Sequence, residues 1–103
     1  MRMIVAEFEA KPESKVTLEA RLKDMVAASR LEPGTLAYAI TRDDKGWVVV
    51  EAYRDAEATE THLGSAALQA FLAQLPTLVR SEPRMRILDA VAGFGFGDSK
   101  DLN

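Results

Sequence analysis

His62 is the only histidine in a chain of 103 residues. Imidazole is the side chain whose ordinary titration lies nearest neutral pH, so it is the first candidate for moving a proton. Its ordinary alternative is a surface or partly packed ring on a helix. Glu51 is the second candidate. It stands inside WVVVEAY, a run of β-branched and aromatic residues in which carboxylates are depleted. Buried there without a partner it would be costly. Three outcomes resolve the anomaly: an edge position facing water, an ion pair with an arginine such as Arg54 or Arg86, or a partly apolar pocket. In such a pocket burial raises the carboxyl pKa and makes a general base. The hydroxyls of Tyr38 and Tyr53 could donate to a developing oxyanion, although such tyrosines more often act as wall and hydrogen-bond partners. Trp47, at the start of the same run, reads first as packing.

Other chemistries are poorly served. The chain has no cysteine, hence no disulfide framework, no thiol nucleophile and no thiolate ligand. With one histidine, a zinc site is not expected, and neither is any other metal or cofactor. GFGFG, at 93–97, follows the last expected strand with no helix behind it, so it is not a dinucleotide fingerprint. Ser29, Ser65 and Ser81 lack a nucleophile-elbow context. The net charge of −3, with both signs interleaved, argues against nucleic acid and anionic membrane as partners. No apolar run reaches the roughly 18 residues of a membrane span. MRMIVAEFEA has acids within its apolar run and no small-residue cleavage site, so it does not read as a signal peptide. A cytoplasmic protein is the expectation.

The elements that must position these residues can be read in order. Met3 to Glu9 alternates as a strand. Pro12 suits a first helical turn, and Leu18, Leu22, Met25, Val26 and Ser29 follow a 3.6-residue period, giving a helix over about 12–30 that Pro33-Gly34 stops. Thr35 to Arg42 and Trp47 to Arg54 are strands around Asp43-Asp44-Lys45-Gly46, a turn in which Gly46 can take a positive φ. Asp55 N-caps a short helix ending near His62 and Leu63. Gly64 interrupts it, and Ser65 starts a second helix with Leu68, Phe71, Leu72 and Leu75 on its apolar face, bent or ended by Pro76. Arg84 to Ala92 is the last strand. The order β-α-β-β-α-β is the ferredoxin-like pattern: one four-stranded antiparallel sheet with helices on one face, an α+β fold. The domain spans 1–92 and a Gly/Phe tail spans 93–103.

If Arg42 pairs with Trp47, counting places Ile40 opposite Val49, Tyr38 opposite Glu51 and Leu36 opposite Tyr53. Facing β-carbons lie about 5 Å apart, so Tyr38, Glu51 and Tyr53 become neighbours. A slip of one residue would send Tyr38 and Glu51 to opposite faces. Val48, Val50 and Ala52 would point to the helix-free face. That face is too apolar to leave in water, which predicts a symmetric homodimer packed sheet on sheet.

EPGTLAYAITRDDKGWVVVEAYRDAEATETHLGSAALQAF resembles the antibiotic biosynthesis monooxygenase family of dimeric α/β barrels. The resemblance is carried by Glu32-Pro33-Gly34, Tyr38, Glu51-Ala52-Tyr53, Asp55, Ala58, His62, Ser65 and Phe71, and the strand order extends it over about 2–92. It implies a ligand cavity between sheet and helices, a homodimer through the sheet faces, and a tail whose Phe94 and Phe96 reach the partner. The family includes cofactor-independent monooxygenases, heme-degrading enzymes and isomerases. A strand asparagine and a tryptophan used by one monooxygenase type correspond here to Val49 and Tyr53, and strand one lacks the asparagine of the heme-degrading type. The reading implied is a cofactor-independent monooxygenase of a small aromatic or quinol-type substrate. His62, Glu51 and Tyr38 are its catalytic candidates, and Tyr53, Trp47, Val49 and Phe71 its substrate-binding ones. The alternative is a non-oxidative isomerase or a dimer that binds a small hydrophobic ligand.

Overall fold

A computed structural model describes residues 1–96. The elements are β1 (Arg2–Phe8), a 3₁₀ turn (Pro12–Ser14), α1 (Lys15–Arg30), β2 (Thr35–Arg42), β3 (Trp47–Tyr53), α2 (Ala56–Leu63), α3 (Ala66–Leu78) and β4 (Arg84–Asp89). The four strands form one antiparallel sheet in the order β2-β3-β1-β4. This is the ferredoxin-like α+β arrangement expected. No described helix is long and apolar enough to cross a membrane.

The sheet face under the helices carries Ile4, Ala6 and Phe8 of β1 and Trp47, Val49, Glu51 and Tyr53 of β3, all buried. Leu18, Leu22 and Met25 of α1 and Phe71, Leu75 and Leu78 of α3 close over them. Phe8 and Phe71 meet edge to face at 6.0 Å between centroids. The opposite face presents Met3, Val5, Val48 and Val50, half-buried, with Ala52 wholly shielded.

Several details depart from the sequence expectations. The hairpin register holds from Arg42↔Trp47 through Ile40↔Val49 to Tyr38↔Glu51, but a β-bulge then sets Thr35, not Leu36, opposite Tyr53. The extra residue bends β2 where it leaves α1. Gly46 does not use a positive φ, since among the described residues only Gly95 has one. Its hydrogen side chain is needed for another reason: a β-carbon there would sit 2.2 Å from the Phe8 carbonyl oxygen. Pro76 does not end α3, which runs on to Leu78. Its ring lies on the exposed side, where water can take the carbonyl it leaves unbonded. That same side holds Leu72, which is 45% exposed rather than part of the core. β4 stops at Asp89 instead of Ala92. Arg2 pairs with Asp89 and Met1 accepts from Ala90 N, so residues beyond have no β1 partner. Phe94 is exposed and Phe96 half-buried, and 97–103 of the tail lie outside the described residues.

Candidate functional site

The hairpin brings Tyr38 and Glu51 side by side on the covered face of the sheet. Two residues further along β3, Tyr53 points the same way, and its hydroxyl donates to Glu51 Oε1 at 2.5 Å. Neither Arg54 nor Arg86 neutralises Glu51. Arg54 Nε lies 3.8 Å from Asp55, and Arg86 is opposite Val5, on the other face.

His62 comes down on this pair from α2. The Asp55 carboxylate accepts from Ala58 N at 2.8 Å and sets the first turn of the helix, and Thr59 Oγ1 bonds back to the Asp55 carbonyl at 2.9 Å. Thr59 and His62, three residues apart, therefore form its buried stripe. Gly34 allows α2 this close: a β-carbon there would lie 2.3 Å from the Ala58 side chain. The same approach delivers Glu32, two residues earlier. Its Oε1 lies 2.8 Å from His62 Nδ1 and accepts from Thr35 Oγ1 at 2.9 Å. His62 Nε2 lies 3.4 Å from Glu51 Oε1.

The result is a continuous chain, Tyr53–Glu51–His62–Glu32, with Tyr53, His62 and Glu51 exposed by 0%, 2% and 5% and Glu32 half-buried. The imidazole is flanked by rings, with Tyr53 at 5.1 Å and Tyr38 at 5.8 Å between centroids. A carboxylate oxygen faces each ring nitrogen. A neutral imidazole has one N–H, so both contacts are satisfied only if the ring carries two protons or one carboxyl carries its own. Burial pushes the Glu51 carboxyl above the usual range, opposed by the Tyr53 hydrogen bond and the His62 charge and reinforced by Glu32. Burial first, and then the Glu51 charge, drives the Tyr38 and Tyr53 hydroxyls up, so both remain protonated donors. The arrangement can hold and pass one proton between Glu51 and His62 inside a water-poor site.

Solvent reaches this cluster at its two ends, Tyr38 and Glu32, both half-buried. A groove of about 200 Å³ between α1 and β2, lined by Val26, Arg30, Thr35, Leu36, Ala37 and Tyr38, ends on that ring. Trp47, Val49 and Phe71 are not in the cluster. They belong to the apolar core that packs against Tyr38, and Trp47 Nε1 donates to Glu19 at 3.0 Å. Trp47 also borders a larger cleft of about 450 Å³ at the hairpin turn, four residues from Glu51 along β3, or about 13 Å. Among the described residues no group of three or more histidine and acidic side chains could hold a metal ion.

Glu32 was not among the residues singled out for chemistry. Its signal was available: an acid directly before Pro33-Gly34, where the chain turns from α1 into the strand bearing Tyr38.

Comparison with known proteins agrees with the architecture. Rv0793 of Mycobacterium tuberculosis superposes with a TM-score of 0.86 at 25% identity, over 91% of this chain and 98% of that one. PA3566 of Pseudomonas aeruginosa superposes at 0.79 with 26% identity, over 88% and 94%. A crystal structure described as an antibiotic biosynthesis monooxygenase matches at 0.81 with 23% identity, over 89% and 100%, a likeness of fold alone. No curated protein matches the chain. The family model described as antibiotic biosynthesis monooxygenase matches residues 1–74, nearly three quarters of the sequence and every residue of the buried cluster. The chain belongs to the antibiotic biosynthesis monooxygenase family.

Proposed function

We propose that the chain is a cofactor-independent monooxygenase that oxidises a small aromatic or quinol-type substrate with O₂. The observation supporting this most is the buried Tyr53–Glu51–His62–Glu32 chain, with Tyr38 joining it to the α1–β2 groove. Oxidation without a cofactor draws its electrons from the substrate. Loss of a proton from a quinol O–H or an acidic C–H yields an electron-rich anion, which passes one electron to O₂. Substrate radical and superoxide then join at carbon as a peroxide. Return of the proton and loss of water complete the change of R₂CH₂, which in a quinol is a ring C–H in its keto form, and O₂ into R₂C=O and H₂O.

In this reading His62 or Glu51 takes the proton and returns it, and Glu32 is a positioning residue that fixes the ring through Nδ1. Tyr38, held protonated by burial, donates to the developing oxyanion. Tyr53 keeps the Glu51 carboxyl oriented and borders the substrate, while Trp47, Val49 and Phe71 form the apolar wall that excludes water. The test is oxygen uptake over a library of quinols and anthrones. Glu51→Gln and His62→Ala should each lower the rate by about 10²–10⁴-fold. Full uptake in both variants overturns the residue assignment, and no uptake by the wild type overturns the oxidation.

A second reading, a non-oxidative isomerase or a hydrophobic-ligand-binding protein, draws on the closure of the cluster: Glu51, Tyr53 and His62 are each at most 5% exposed. Ligand-induced thermal shifts without O₂ consumption would select it.

The same proposal includes a homodimer. Met3, Val5, Val48, Val50 and Ala52 form an apolar strip on the face without helices. A second copy of the sheet would cover it, and Phe94, which is 91% exposed, would meet the partner.

A further inference from the structure

Glu51, Tyr53 and His62 are each at most 5% exposed, so a substrate reaches them only when a covering element moves. α2 is that cover: His62 Nε2 stands 3.4 Å from Glu51, and the imidazole lies 5.1 Å from the Tyr53 ring between centroids. It is held differently from the other helices. α1 and α3 dock through Leu18, Leu22, Met25, Phe71, Leu75 and Leu78, all members of the apolar core. Among the described residues no member of α2 belongs to that core. Its two buried side chains, Thr59 and His62, are polar, and Ala58 and Leu63 are only half-buried. The Thr59 hydroxyl is spent on the Asp55 carbonyl at the head of the same helix. His62 therefore makes the polar contacts that fasten the buried stripe of α2 to the rest of the fold, with Glu32 at 2.8 Å and Glu51 at 3.4 Å. An element with so little apolar burial opens at a lower free-energy cost than the core.

The joints at its two ends suit such opening. Asp55 is extended, with φ −157° and ψ −177°, and Gly64 separates α2 from α3. Gly64 has a negative φ, −92°, and a β-carbon there would meet only the Glu60 carbonyl oxygen, at 3.4 Å. Neither the turn nor the packing demands a glycine at this position, and what the glycine adds is backbone freedom. Beyond it, Gln69 Nε2 donates to the Leu63 carbonyl at 3.0 Å and keeps that end of α2 beside α3. We infer that α2 is a lid, hinged at Asp55 and Gly64 and latched by the His62–Glu32 contact, that lifts to admit substrate between the imidazole and the Glu51 and Tyr53 side chains. Its part in substrate entry rests on the function proposed above; the opening itself does not. Closure brings the imidazole down on the bound substrate and shuts out water.

The test is amide hydrogen exchange followed by mass spectrometry, alongside thermal melting and oxygen uptake. The α2 amides should exchange at least about tenfold faster than those of α1 and α3. Glu32→Gln loosens the latch and should speed exchange in α2 about fivefold. Gly64→Ala stiffens the hinge. It should slow exchange in α2 and raise the melting temperature by a few degrees, yet lower kcat/KM for the quinol that the wild type oxidises fastest. A glycine with a merely structural role would not couple a gain in stability to a loss of activity. α2 amides that exchange as slowly as those of α1 and α3, or that do not respond to Glu32→Gln, overturn the inference. Separate opening of α2 without oxygen uptake on any quinol would leave the lid standing and remove the monooxygenase reading. Oxygen uptake by a chain whose α2 opens only with global unfolding would do the reverse.

Discussion

Removing the charge of Glu51 and removing its hydroxyl partner should change the pH dependence of stability in opposite directions. Burial raises the Glu51 carboxyl above its ordinary 4.5. The stability contributed by this group is therefore present below pH 4.5 and is lost as pH rises through the raised folded value. Glu51→Gln cannot ionise, and its amide oxygen can still accept from Tyr53. Its melting temperature should rise relative to the wild type as pH increases. Tyr53→Phe removes the hydrogen bond that opposes the raised pKa. Where Glu51 is protonated the lost bond is between neutral groups, about 0.5–1.5 kcal/mol; where it is ionised the loss is about 1.5–3 kcal/mol. For a domain of this size each kcal/mol shifts the melting temperature by about 4–8 °C. The Tyr53→Phe deficit should thus widen by several degrees with rising pH, and the double variant should run parallel to Glu51→Gln. Thermal melts by circular dichroism across a pH series would measure this. A Glu51→Gln variant that loses ground as pH rises would refute the reasoning, because the attraction of Glu51 to His62 would then outweigh its burial.

Three other predictions concern the supports of the site. Glu32→Gln takes the charge from the His62 Nδ1 contact at 2.8 Å but keeps an acceptor for Thr35, so it should lower stability by about 1 kcal/mol and shift the imidazole resonances by NMR; unchanged ring signals would deny Glu32 its positioning role. Gly46→Ala would force a β-carbon to 2.2 Å from a backbone carbonyl and should cost about 1–3 kcal/mol in chemical denaturation, and a neutral effect would disprove the close packing of the turn on Phe8. Light scattering should give a dimer for the wild type and a folded monomer for Val50→Asp, on the helix-free face; a variant that remains dimeric would remove this face from the interface.

The fold was legible because its signals are local. Alternation in β1, β2 and β3, the caps Asp55 and Ser65, and the breaks at Pro33-Gly34 and Gly64 each act within a few residues. The register of Tyr38 against Glu51 followed from one four-residue turn, and failed only beyond it, at the Leu36 bulge, which no turn residue announces. What depends on distant contact was not legible. Nothing local reveals that Gly46 must clear Phe8, or that Glu32 reaches the ring of His62 across 30 positions of sequence.

The central claim is that the buried proton chain drives an oxidation in which O₂ supplies the atom inserted. Turnover of an active quinol under ¹⁸O₂, followed by mass spectrometry of the product, tests it most directly. The account predicts one ¹⁸O atom in the product of the wild type and a loss of labelled product by about 10²-fold or more in Glu51→Gln and His62→Ala. Product that forms under nitrogen, or that carries no label, would contradict it.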